Sequence, residues 1–99
     1  MKTRLTAPAS QQANRIDRWW RENRADARGL FARELAEARA LLAETPYVGI
    51  PYTERQGVLV RRLLLPRAQQ HVYYEVNRED DAVMILAVWG APRGRGPAL

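Results

Sequence analysis

The first half of the chain carries apolar residues at the spacing of an amphipathic helix. Positions i, i+4, i+7 and i+11 of the first apolar stripe are Ala9, Ala13, Ile16 and Trp20. A single apolar face with this period predicts a helix that begins just after Thr6 and ends near Asn23. The proline at position 8 agrees with that start, because proline is tolerated in the first turn of a helix.

A second apolar stripe repeats the same spacing and consists of Phe31, Leu35, Ala38 and Leu42. It predicts a second helix that runs from an N-cap at Asp26 to about Glu44, where Thr45 and Pro46 end it. Because the connector between the two helices is short, we expect them to form an antiparallel hairpin.

The second half of the chain has the patterns of β-strands. Residues 58–65, 71–76 and 82–89 are rich in β-branched, aromatic and leucine side chains, and each run has strand length. The last run is apolar on both faces, which predicts a central strand. Residues 2–5 are a candidate first strand, whereas the two Pro and two Gly within residues 45–57 predict an ordered loop.

These elements predict one α+β domain over residues 1–99. An N-terminal helical hairpin would pack on a small, mostly antiparallel sheet of three to four strands. The helices would cover one face of the sheet and leave the other open, which favours a protein partner because residues 58–65 are apolar on both faces. Residues 90–99 are rich in Gly, Pro and Arg and are expected to form a flexible tail.

Composition and charge narrow the possible chemistry. The 99 residues carry a net charge of +5, and 15 of the 16 basic residues are Arg, which favours contacts with carboxylates and phosphates. The chain has no Cys and one His, so cysteine-based and multi-histidine metal sites are excluded, and we expect neither a metal nor a cofactor. No apolar run approaches the roughly 20 residues of a membrane span, so we expect a cytoplasmic protein without membrane contact.

Three segments in this order resemble the RelE/ParE superfamily of toxins from bacterial type II toxin–antitoxin systems, and in particular its ParE-type members. They are RIDRWWREN at 15–23, VRRLLLPRAQQHVYYEV at 60–76 and ILAVWGAPRGRGP at 85–97. The resemblance implies a basic toxin that is neutralised by an antitoxin protein and that meets operator DNA only through this antitoxin. It also implies one of two targets, because the ParE branch poisons DNA gyrase and a ribonuclease branch cuts mRNA on the ribosome.

The residues that the ribonuclease branch uses are only partly present. By resemblance, Arg62 matches one basic position on the second strand of the meander, but Leu64 stands where a second would be. His71 stands near a third-strand arginine position, Arg93 matches a late arginine, and no tyrosine follows Tyr74. The catalytic candidates are therefore Arg62, His71 and Arg93, and the incomplete set favours the ParE branch.

Residues with cationic or aromatic side chains are the candidates for contacts with the target or the antitoxin. These candidates are Trp19, Arg61, Arg62, Arg67, Tyr73, Arg93 and Arg95. Since side chains alternate along a strand, Arg61 and Arg62 lie on opposite faces and only one of them can join His71. Trp20 and Trp89 are expected to pack in the core, whereas the arginines of the strands are equally compatible with solvated charges that block edge pairing.

Three hypotheses follow for the function. The first is a ParE-like toxin that binds and blocks a macromolecular target, with DNA gyrase preferred. The second is an mRNA endonuclease of the RelE type. The third is a basic nucleic-acid-binding module, whose affinity would fall steeply with salt.

Overall fold

Two helices cover one face of a five-stranded sheet in the computed structural model, which describes residues 1–90 and 96–99. The elements in chain order are β1 (Lys2–Leu5), α1 (Ala7–Asn23), α2 (Leu30–Glu44), β2 (Ile50–Arg55), β3 (Val58–Leu65), β4 (Gln70–Asn77) and β5 (Ala82–Gly90). The sheet order is β1-β5-β4-β3-β2, in which β1 runs parallel to β5 and the other pairs are antiparallel. The α+β class with its helical hairpin is confirmed. The predicted sheet of three to four strands is corrected to a mixed sheet of five.

The additional strand is β2, which lies within residues 45–57, the segment predicted to be a loop. Gln56 and Gly57 connect β2 to β3 with φ angles of 50° and 79°, the backbone that a two-residue hairpin turn requires. The sequence does not predict this strand because it contains Pro51, and proline lowers strand propensity and is tolerated mainly at a sheet edge. Because β2 adds a fifth strand at this edge, the central strand is β4. The sequence predicts β5 in that position, and this prediction is wrong.

The ends of the helices differ in how closely they match the prediction. The side chain of Thr6 caps α1, since its Oγ1 accepts a hydrogen bond from the Ala9 N–H at 3.3 Å. The N-cap of α2 is Gly29, without a side-chain hydrogen bond, so the predicted cap at Asp26 is wrong. Asp26 lies in a turn between the helices instead. None of the described helices is long and apolar enough to cross a membrane.

The main core lies between the helices and the sheet. Its members come from both helices, from the β3–β4 turn and from one face of the strands. The largest fully buried members are Phe31, Leu42, Leu65, Val72, Tyr74, Val83, Ile85 and Val88. Trp20 is also buried in this core, as its place on the apolar stripe predicted.

A buried carboxylate attaches the β3–β4 turn to α2. Glu34 is only 8% exposed, and its two carboxylate oxygens accept hydrogen bonds from the backbone N–H groups of Arg67 and Ala68 at 3.0 and 2.8 Å. Hydrogen bonds to a charged acceptor are stronger than neutral ones. Glu34 therefore fixes the turn that presents the Arg67 side chain and leads into β4.

The sheet face opposite the helices, called here the helix-free face, carries a second and smaller apolar cluster. Its buried members are Val60, Tyr73, Leu86 and Ala87. Leu86 and Ala87 share this face because the β4–β5 register shifts between Tyr73 and Tyr74, which leaves Leu86 as an extra bulge residue. Leu99 packs against the cluster, so residues 96–99 partly cover the face that was expected to be open. These residues form no helix or strand, and the flexibility of the tail stays a prediction.

Candidate functional site

The helix-free face brings together a cation, an imidazole and two phenol rings. Arg62 lies on β3 and His71 and Tyr73 lie on β4, at positions whose side chains point away from the helices. The Arg62 guanidinium carbon lies 5.4 Å from the centre of the Tyr52 ring. The Tyr73 ring has edge contacts with both Tyr52 and His71, at centroid distances of 4.8 and 5.9 Å. We call Tyr52, Arg62, His71 and Tyr73 the sheet-face cluster.

Arg61 and Arg62 point to opposite faces of β3, as their neighbouring positions predicted. Nη1 of Arg61 donates to the carbonyl oxygens of Tyr47 and Gly49 at 3.3 and 2.8 Å. Arg61 therefore stabilises the loop before β2 and does not reach the cluster. Arg62 is the arginine that joins His71.

Among residues 1–90 and 96–99, no carboxylate forms an ion pair with Arg62. Its Nε atom is buried and has no hydrogen-bond partner among the described residues. Burial lowers the pKa of His71 below the ordinary 6.5, and the positive charge of Arg62 lowers it further. At neutral pH the cluster therefore presents an uncharged imidazole beside a guanidinium, which is a proton acceptor next to a cation.

The titration of His71 tests this environment directly, because His71 is the single histidine of the chain. We expect the imidazole C–H resonances in a proton NMR titration to report a midpoint below 6.5. In Arg62→Ala the midpoint should move upward, since the repulsion from the guanidinium is removed. A midpoint at or above 6.5 in the wild type would contradict this arrangement.

The same shift makes stability depend on pH. The unfolded chain binds the proton more readily than the folded chain, because the pKa of His71 is lowered only by folding. The stabilising contribution of neutral His71 is therefore complete above the unfolded pKa of about 6.5 and is lost as the pH falls through the lower folded value.

Tyr73 lies beneath its neighbours and not at the surface. It is only 2% exposed, and residues 96–99 and Tyr52 lie over it. A Cβ placed on Gly96 would meet the Tyr52 hydroxyl, which is evidence of close packing between this segment and β2. Arg55 adds a polar contact, since it donates to the Leu99 main-chain oxygen at 3.3 Å and forms an ion pair with Glu75 at 3.5 Å. A partner can therefore reach Tyr73 only if these residues move.

A second candidate site is a cleft of about 700 Å³ between α1, the β3–β4 turn and the end of β5. We call it the α1–β5 cleft. Trp19 and Trp20 line it from α1, Arg67 from the turn and Trp89 from β5. Trp19 is 51% exposed and contacts Trp20 edge-on, with ring centroids 5.7 Å apart.

The structure thus divides the predicted site residues among separate places. Arg62 and His71 meet on the helix-free face, whereas Trp19 and Arg67 meet in the α1–β5 cleft. Arg61 belongs to neither group. The predictions for Arg93 and Arg95 fall on residues 91–95, outside the described residues.

Sequence reasoning missed Tyr52 and the cationic side of the cleft. Tyr52 was assigned to a loop, and its alignment with Arg62 arises from the register shift between Pro51 and Thr53. Arg15 and Arg24 are not among the candidates that the sequence offers, although both line the cleft. The usable signal for Arg15 was its spacing from Trp19, because residues four positions apart lie on the same face of a helix.

A helical hairpin on a five-stranded mixed sheet, with arginines at the helix-free face and in the cleft, defines a small basic α+β protein, and this arrangement of elements is consistent with the RelE/ParE fold. Residues 3–93 match the family model described as ParE toxin of type II toxin-antitoxin system, parDE. The chain belongs to this family, which makes it the toxin of a type II toxin–antitoxin pair and implies a cognate antitoxin partner. A search of curated proteins found no match.

Proposed function

We propose that this chain inhibits growth by binding and blocking DNA gyrase in the cytoplasm, and that its cognate antitoxin neutralises it by direct binding. The observation that carries the proposal is the match to the ParE toxin family over residues 3–93, which spans nearly all of the chain. A toxin of this kind acts by occupying a surface of its target and needs no chemical step of its own.

The helix-free face supports a binding role. Arg62 contributes a charge without a carboxylate partner among the described residues. Leu64 lies on the same face of β3 and is 44% exposed, which places an apolar side chain beside the cation. Exposed apolar side chains next to an arginine are typical of protein interfaces, where Arg is enriched and Lys is depleted.

The mRNA endonuclease is the second candidate, and one observation favours it. Arg62 and His71 lie close enough for the arginine charge to lower the pKa of the imidazole, and a base beside a cation suits cleavage of a phosphodiester. Leu64 occupies the position of a second basic group, and the Tyr73 hydroxyl belongs to a buried side chain. The described residues of this face therefore offer a base and a cation, and the buried Tyr73 hydroxyl is not accessible as a general acid.

The decisive experiment induces the chain alone in a bacterial host and measures DNA and protein synthesis by pulse labelling during the first minutes. We expect DNA synthesis to fall first. The purified chain should also inhibit supercoiling of relaxed plasmid by purified gyrase. An early loss of protein synthesis, together with cleaved mRNA, would overturn the gyrase proposal in favour of the endonuclease.

A matched pair of variants tests the helix-free face within the same assays. We expect Arg62→Ala to weaken gyrase inhibition about 10-fold, because an arginine at the centre of an interface is often worth more than 1 kcal/mol. Arg78→Ala removes the same charge from the exposed β4–β5 turn and should retain inhibition. Equal inhibition by both variants would mean that the target binds elsewhere on the chain.

A further inference from the structure

The α1–β5 cleft carries positive charge on two of its walls. Arg15 and Arg24 line it from α1 and Arg67 lines it from the β3–β4 turn, whereas none of the described residues that line the cleft is acidic. Arg15 and Arg67 are exposed and form no ion pair within the part of the chain that the structure describes. Arg24 has only a long ion pair of 4.0 Å with Asp26. Because arginine matches phosphates and carboxylates, the ligand of this cleft is expected to be an anion.

The apolar surface that the cleft exposes is mainly aromatic. Trp19 stands at the rim and is 51% exposed, which marks an interaction site for so large an apolar side chain. Trp20 contacts it at an angle of 79° between the ring planes, so the two indoles are not stacked on each other. Ala68 and Val88 also line the cleft, but both are buried and offer little aliphatic surface to a ligand.

This combination of groups favours a nucleotide chain over an acidic peptide. Bases stack on aromatic rings and on guanidinium planes, while neighbouring arginines hold the phosphates. The Arg24 guanidinium already lies over the Trp20 ring at 5.0 Å, beside the exposed ring of Trp19. An acidic peptide would need an aliphatic pocket for its apolar side chains. The volume of about 700 Å³ is within the range of small-ligand sites and therefore suits a short piece of strand.

The hydrogen-bonding groups of the cleft favour binding without a sequence preference. Gln12 Oε1 accepts from the Val88 N–H at 2.8 Å. The side-chain amides of Gln69 and Gln70 donate to main-chain carbonyl oxygens of the β3–β4 turn. Because these side chains are engaged within the protein, recognition would depend on stacking and on phosphate contacts. A duplex keeps its bases within the stack, so only a single strand can place a base on Trp19.

We propose that the α1–β5 cleft binds single-stranded nucleic acid, with a base stacked on Trp19 and phosphates held by Arg15 and Arg67. This binding goes beyond the proposed function and does not depend on gyrase. The cleft lies between α1 and the end of β5, whereas the sheet-face cluster lies on the side of the sheet away from the helices. The toxin would thus hold a nucleic-acid strand through a surface distinct from the proposed target surface.

Fluorescence anisotropy with the purified full chain tests the charge of the cleft. The probes are labelled single strands of about 12 nucleotides, one DNA and one RNA of the same sequence, and the DNA duplex. We expect single strands to bind about 10-fold more tightly than the duplex. Each phosphate contact adds about 0.7 to the slope of log affinity against log salt concentration, so Arg15→Gln should lower this slope by about 0.7. Arg18→Gln makes the same change at an exposed position of α1 outside the lining and should leave the slope unchanged.

Two variants of Trp19 test the stacking contact. Trp19→Ala should raise Kd for the single strands at least about 5-fold, because it removes the ring on which a base stacks. Trp19→Phe keeps an aromatic ring and should recover most of this loss. Thermal unfolding of each variant verifies that it is folded.

Several outcomes would overturn the inference. One is that neither single strand binds the wild type, and another is that Arg15→Gln and Trp19→Ala bind as tightly as the wild type. A duplex that binds as tightly as the single strands would show that charge alone is recognised. Loss of binding in Arg62→Ala, with both cleft variants intact, would place the contact on the helix-free face.

A peptide of alternating Glu and Leu residues serves as the competing ligand. If this peptide binds and the single strands do not, and if Arg15→Gln and Trp19→Ala weaken its binding, the cleft is a peptide site and the inference is overturned. Binding of either single strand with the expected losses in the cleft variants supports the inference, and a preference between DNA and RNA identifies the source of the strand. Inhibition of gyrase is measured separately, so a failure here leaves the proposed function standing.

Discussion

Replacing Glu34 with Ala is expected to lower the free energy of unfolding by about 3 kcal/mol. The carboxylate accepts hydrogen bonds from the backbone N–H groups of Arg67 and Ala68, and Ala68 is itself buried. The variant leaves both donors without this acceptor, the Ala68 N–H in a buried position and the Arg67 N–H in a partly buried one, and an unpaired buried group costs about 1–3 kcal/mol. Urea unfolding followed by circular dichroism measures the change.

Glu37→Ala provides the matched control, because Glu37 lies one turn later on α2 and is exposed to solvent. Its effect should remain within about 0.5 kcal/mol, which is usual for a surface substitution. If Glu34→Ala were equally mild, the β3–β4 turn would be held by its own backbone and not by α2. The position of Arg67 in the cleft would then also be independent of Glu34.

The second large effect on stability is expected for a substitution of Gly49, a buried residue directly before β2. A Cβ at this position would lie 2.6 Å from the Tyr74 hydroxyl oxygen and 2.8 Å from the Arg62 carbonyl oxygen. Tyr74 is fully buried, and its hydroxyl accepts a 2.8 Å hydrogen bond from the Gly49 N–H. Gly49→Ala should therefore destabilise the fold by about 3 kcal/mol, through overpacking and through loss of this hydrogen bond.

A double-mutant cycle identifies the cause. Tyr74→Phe alone should cost about 1–2 kcal/mol, because the buried Gly49 N–H loses its acceptor. In the Tyr74→Phe background, Gly49→Ala should cost less than in the wild type, since the nearest clashing atom is gone. Strictly additive costs would show that the strain at Gly49 does not involve the tyrosine hydroxyl. Chemical denaturation of the four proteins supplies all of these values.

The contact between Gly49 and Tyr74 also affects the candidate site. It ties the residue before β2 to Tyr74 of β4, and β2 carries Tyr52 over Arg62. Since Arg61 binds the carbonyl oxygens of Tyr47 and Gly49 from the other face, the two neighbouring arginines have different roles. Arg61 anchors the loop, and Arg62 remains available at the helix-free face.

Local patterns in the sequence determined a large part of this molecule. The spacing of apolar residues located both helices, because a helix face repeats regularly whatever packs against it. Alternation along a strand likewise separated Arg61 from Arg62 and placed His71 with Tyr73. Three segments of the sequence resembled the RelE/ParE superfamily, and the match over residues 3–93 confirmed that membership.

Only the tertiary structure decided which of these residues meet. Strand β2 forms because β3 offers it a partner edge, and neither Pro51 nor its neighbours have a strong strand pattern of their own. The burial of Tyr73 depends on Tyr52 and residues 96–99, which are distant in sequence. The α1–β5 cleft joins Arg15 to Arg67 across 52 positions of the chain. A periodic pattern specifies the face of an element, whereas the contacts between faces arise only when distant elements pack together, and the candidate sites consist of those contacts.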